Sequence, residues 1–153
     1  MQKAITVFFS LAALLFFNAC HTAKPSIGTT SDIIEGSKTL YQYKWELAQL
    51  QGQAIPAGNA KIPYLQFAEG QPNKVFGNTG CNNLNGSVTI LDSKAIKFSP
   101  LATTRMACID GNNEAPFLEA IGQADNYIIV NNQLSLNNGS KNVAKFNGII
   151  MAK

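Results

Sequence analysis

Histidine and arginine each occur once in this chain, at His21 and Arg105, and tryptophan once, at Trp45. Because no histidine follows position 21, a cysteine or serine nucleophile in the body of the chain has no imidazole base to activate it. Cysteine is scarce too. Its three copies do not include a Cys-x-x-Cys pair, and they are too few for a four-ligand zinc site. Carboxylates such as Asp110 and Glu114 stand close in sequence, but no pattern marks them as a glycosidase pair. Charge is sparse, at 14% of residues, and the lysines are scattered singly, so a concentrated basic face for nucleic acid is missing. These absences read as a non-enzymatic protein with no cofactor, no metal and no nucleic-acid partner.

Long apolar runs are confined to the N-terminus. Lys3 is followed by an apolar stretch from Ile5 to Phe17, too short to span a hydrocarbon core of about 30 Å comfortably. The stretch ends in Phe17-Asn18-Ala19-Cys20, which resembles the lipobox of bacterial lipoproteins, although Phe17 and Asn18 depart from the commonest residues there. Residues 1–19 are read as a lipoprotein signal peptide and Cys20 as the lipidated mature N-terminus. The alternative is a plain signal peptide cut near Ala19. Two or three acyl chains would hold the protein at a membrane, where one chain binds only marginally. Residues 20–39 read as a flexible tether of small polar residues. His21 lies in that tether, a poor place for a catalytic or metal-binding group.

With Cys20 assigned to lipid, Cys81 and Cys108 remain as a pair. A bond between them would stabilise the fold by about 3.6 kcal/mol on the chain-entropy model. Two buried free thiols are the alternative, since sequence cannot bring their Cβ atoms together.

From residue 40 to 153 the pattern is that of one domain. Tyr41, Tyr43, Trp45 and Leu47 alternate onto one face of a first strand, with Trp45 as core anchor. Leu65 and Phe67 mark a second strand, and Asn73–Gly77 a third. Ser87–Ile90 and Ala95–Phe98 form a hairpin across 91–94. Glu114–Gln123 carries the one helix signal, capped by Asn112 or Asn113, with Phe117, Leu118, Ala120 and Ile121 on one face. Tyr127–Val130, Gln133–Leu136 and Val143–Met151 complete the strands, and Asn138-Gly139 is expected as a type I′ turn. About seven or eight short strands, without βαβ alternation, predict a mainly β fold: an antiparallel, barrel-like sheet with one short helix.

The stretch from Gly77 to Cys108 is the most distinctive. Gly77 and Gly80 lead into Cys81-Asn82-Asn83, where glycine and asparagine tolerate positive φ, and a tight hydrogen-bonded corner is expected. Arg105 is expected to fork onto carbonyls or a carboxylate, with Glu114 and Glu119 nearest in sequence, and so to pin the corner. Anion or partner binding is its other reading.

Several of these residues resemble the META domain, the family of HslJ-like heat-shock lipoproteins. They are Trp45-x-Leu47-x-x-Leu50, Gly77-x-x-Gly80-Cys81-Asn82, Gly86, Phe98-x-x-Leu101, Thr104-Arg105-Met106-Ala107-Cys108, Phe117-Leu118 and Gln133–Leu136. The resemblance covers roughly residues 40 to 150. It implies a small antiparallel barrel of lipocalin-type shape, structural roles for the recurrent residues, and no catalytic activity. It further implies a bacterial envelope protein linked with heat shock and tolerance of antibiotics such as novobiocin. The expected setting is the outer membrane facing the periplasm of a Gram-negative bacterium, with the domain a monomer that meets an envelope protein. A barrel that binds a small apolar molecule, or an inhibitor of an exported enzyme, is the alternative.

Overall fold

The computed structural model describes residues 38–56, 61–70, 73–91, 94–108 and 114–151. The signal segment, Cys20, nearly all of the tether, Asp110 and the helix-capping candidates Asn112 and Asn113 lie outside them.

Among the described residues, a helical turn at 38–40 precedes ten strands and a longer helix: β1 (Tyr43–Leu50), β2 (Gln53–Ala54), β3 (Tyr64–Ala68), β4 (Asn73–Asn78), β5 (Asn83–Leu91), β6 (Ala95–Phe98), β7 (Ala102–Thr103), α1 (Glu114–Gln123), β8 (Asn126–Val130), β9 (Gln133–Asn138) and β10 (Lys141–Ile150). Every pairing is antiparallel. Eight strands close a barrel in the order β1-β3-β4-β5-β6-β8-β9-β10, and β10 returns to β1. The short β2 hangs off β1, and β7 off β5. Closure removes the unpaired edges that an open sheet of this length would present.

Alternation drives the assembly. Leu65 and Phe67 in β3, Leu84 and Val88 in β5, and Leu134 and Leu136 in β9 all point inward and are buried. Trp45 is fully buried, as the single tryptophan was expected to be, and its indole Nε1 donates to the Leu40 carbonyl at 2.9 Å. That bond satisfies the one polar group the ring carries into the core. In β1 the alternation breaks between Leu47 and Gln49, where a bulge shifts the register against β10. The extra residue, Ala48, lets Leu47 and Leu50 both face inward although three positions separate them.

The helix packs its apolar face against the barrel. Phe117, Ala120 and Ile121 are buried, and Phe117 meets the inward-facing Phe146 edge-on, with centroids 6.2 Å apart. Its contacts run to β10, β1, β6 and β9, which lie on one side of the ring.

One turn differs from expectation. The central residues of the last hairpin are Gly139 and Ser140, because Asn138 pairs with Lys141 in the ladder. Of the two, only Gly139 has positive φ, at 58°, the pattern of a type II′ turn and not of type I′ on Asn138-Gly139. Asp125 accepts the Gly139 amide at 3.0 Å and sets that register. The I′ pattern occurs one hairpin earlier, where Asn131 and Asn132 have φ of 50° and 59°.

Candidate functional site

The corner between β4 and β5 gathers most of the residues the sequence singled out. Gly77 is needed for close approach: a Cβ there would overlap the Tyr64 carbonyl across the β3–β4 ladder. At Gly80 the requirement is conformational, with φ of +95°. Gly86 lies further along β5, where a Cβ would meet Leu101 Cδ2 at 2.7 Å. Asn82 and Asn83 do not adopt positive φ. The expected hydrogen-bonded corner is present, but its positive φ falls at Gly80 alone, and Asn82 serves it through its side chain as well as its backbone.

That side chain is buried and makes every bond its carboxamide offers. Oδ1 accepts from the Thr104 hydroxyl and from the Met106 amide, both at 2.8 Å. Nδ2 donates to Glu114 Oε2 at 2.9 Å and approaches the Met106 carbonyl at 3.5 Å and Cys108 Sγ at 3.4 Å. Donors converge on one end of the group and acceptors on the other, so the network fixes its orientation. Thr79 supports it from behind. Its amide donates to the Asn82 carbonyl at 2.8 Å, and its hydroxyl donates to Glu114 Oε2 at 2.6 Å and accepts the Asn82 amide at 3.0 Å. The Thr79 bond is the main reason the Glu114 carboxyl sits below its ordinary pKa; Asn82 adds to the effect, and burial opposes it.

Cys81 and Cys108 form a disulfide, with Cα atoms 5.8 Å apart. Of the two alternatives open to these cysteines, the bonded pair is the one the geometry realises. Both sulfurs lie within 4.8 Å of a Glu114 oxygen. Joined to each other, they are not thiolate ligands, so this group is not a ready metal centre.

Arg105 is placed otherwise than expected. It is exposed, as are Thr104, Met106 and Ala107, and it makes no hydrogen bond or ion pair to another described residue. The corner is pinned by Asn82 instead. A neutral carboxamide offers donors and acceptors together and can bond amide, carbonyl, hydroxyl and carboxylate from one position, whereas a guanidinium only donates. Thr79 is the member of the cluster that the sequence did not single out, and Glu114, expected to meet Arg105, bonds to Thr79 and Asn82 instead. The first-turn acid at Glu114 was visible, but its partner lies 35 residues away.

Laid side by side, two segments run antiparallel. Asn85 and Leu84 pair with Ala102 and Thr103. The Thr104 amide donates to the Asn83 carbonyl at 3.0 Å, Asn82 holds Met106, and Cys81 is bonded to Cys108. Residues 102–108 are thus braced along their length by residues 81–85, with the side chains of Arg105 and Ala107 left outward.

A family model of the META domain matches residues 38–148. The chain belongs to the META domain family. The match spans the corner and all of the barrel but the last two residues of β10. Among solved structures, this META domain is similar to one titled "NMR structure of the protein from Burkholderia xenovorans". The TM-score is 0.61 at 20% identity, over 95% of this chain and 99% of that one, a likeness of fold alone. Among curated proteins none matches.

Proposed function

We propose that this META domain is a non-catalytic interaction module. A lipid on Cys20 tethers it to the bacterial envelope, at the outer membrane facing the periplasm, and the domain presents a braced loop to a protein partner there. The observation that carries this reading is how the polar cluster is used. Asn82, Thr79, Glu114 and the disulfide are spent on one another and on holding residues 104–108 in place at the surface. Catalytic sites, by contrast, leave polar groups uncommitted toward a reacting molecule. A role in envelope stress or antibiotic tolerance follows from the family resemblance and fits a domain that acts by contact.

The competing reading is a barrel that holds a small apolar ligand. Trp45, Tyr127, Phe117 and Phe146, each at 1% exposure or less, take up the interior where such a ligand would sit, which weighs against it.

Cross-linking the full chain in the envelope of its host, beside a Cys20→Ser form, tests the proposal. The expected result is a lipid mass on the wild type alone and one recurrent protein partner. A co-purifying small molecule with no protein partner would reverse the choice.

A further inference from the structure

We infer that the loop from Thr103 to Cys108 is a substrate-like inhibitory loop for an arginine-specific serine protease, with Arg105 as the residue that enters the specificity pocket. The inference rests on the interaction reading above and names the class of partner.

Three observations converge on it. First, Arg105 is exposed, unlike the residues that brace it, and is tied to no other described side chain. It is the one arginine of the chain. Trypsin-like proteases read a substrate through a deep pocket floored by a carboxylate, and one protruding guanidinium is what such a pocket accepts. Secondly, the residues on either side of Arg105 are held by their backbone amides. Thr104 donates its amide to Asn83, and Met106 donates its amide to Asn82 Oδ1. A loop ordered before it binds loses little freedom on docking, which turns a peptide of ordinary affinity into a tight binder. Thirdly, Cys108 ties the far side of the susceptible bond to Cys81.

The third point separates an inhibitor from a substrate. On attack, the protease serine oxygen forms an ester bond to the Arg105 carbonyl carbon while the Arg105–Met106 C–N bond breaks. The Met106 nitrogen leaves as an amine, taking the proton that the serine gave up to the protease's histidine. In a free peptide that amine diffuses away and water replaces it. Here Asn82 still faces the nitrogen and the disulfide still holds Cys108 two residues on from Met106, so the amine stays positioned to re-form the peptide bond. A phosphate or other anion fits the loop poorly. The Thr104 and Met106 amides are already spent on Asn83 and Asn82, leaving no nest of free donors around the guanidinium.

The test uses the full chain in detergent against trypsin and a second arginine-specific serine protease, with a small chromogenic arginine substrate as readout and chymotrypsin as comparison. Stoichiometric inhibition of both arginine-specific enzymes is expected, with any nick confined to Arg105–Met106 and the two fragments separating only after reduction. Arg105→Ala should weaken inhibition by at least about 100-fold, the scale of a central anchoring residue, at unchanged melting temperature. Arg105→Lys should retain most of it, and Arg105→Phe should move it to chymotrypsin. Rapid cleavage without inhibition, equal inhibition by wild type and Arg105→Ala, or no effect on either arginine-specific enzyme would each overturn the inference. An envelope partner captured equally by wild type and Arg105→Ala would overturn it while leaving the interaction reading intact.

Discussion

The barrel wall and the β4–β5 corner are held by different means. Around β1, β3, β9 and β10, stability is distributed: Trp45, Leu65, Leu134 and Phe146 share burial, and long ladders share the hydrogen bonds. At the corner it is concentrated, with one carboxamide and one disulfide connecting β5, the 104–108 loop and the start of α1. A distributed wall tolerates local loss but fails all together. A concentrated corner fails at single atoms, and locally.

Perturbing the two regions separately should show this. Trp45→Ala has the largest expected effect. It removes a fully buried ring and its bond to Leu40, costing about 4 kcal/mol, and should lower amide protection throughout β1 and β10 in hydrogen exchange. Replacing Cys81 and Cys108 together by serine should cost about 3 kcal/mol by equilibrium unfolding. Here the exchange of Thr104 and Met106 amides should rise while β9 and β10 amides keep their rank order of protection. If both variants loosened the same amides, the distinction between wall and corner would be lost.

Asn82→Ala is expected to cost about 2 kcal/mol, because it strands the Met106 amide, the Thr104 hydroxyl and one face of Glu114 at once. Asn82→Asp is a sharper variant, since it keeps the acceptor but places a carboxylate against Glu114; it should be at least as damaging at neutral pH and recover in acid. The smallest effect concerns pH. Glu114 has a folded pKa below its unfolded one, so the folded state binds fewer protons there. Its contribution is complete above the unfolded carboxylate pKa and is lost as pH falls through the folded value. Urea titrations of wild type and Glu114→Gln should therefore converge in acid and separate toward neutrality.

Much of the barrel was legible because period-two alternation reports burial directly. Trp45 and Leu47 were placed on one face of the first strand from pattern alone and are buried, and α1 was found at its observed bounds. The two-residue strands β2 and β7 were not foreseen, since they have no room for a period to show. The last turn was misplaced by one residue because Asn138-Gly139 is a local signal, and the register there is set by Asp125 from the connection between α1 and β8. The corner was the least legible part. Its disulfide could be inferred by counting cysteines, but Asn82 acts through partners more than twenty residues away. No local spacing distinguishes a hub of that kind from an asparagine in a turn. Arg105 drew attention for its rarity, and its expected pinning role failed because the site already had a better bridging group.

The pairing of β1 with β10 has a consequence for how the protein is made. The first and last strands of the barrel are neighbours, matched from Tyr43↔Ile150 to Leu50↔Ala144. A chain delivered N-terminus first holds β1 with one edge open until β10 arrives, so the ring cannot close during delivery at the usual pace of about 5–20 residues per second. For that interval β1 offers its edge to any strand nearby. Closure of the ring therefore waits on β10 by topology, and the time before closure is when a chaperone has something to shield.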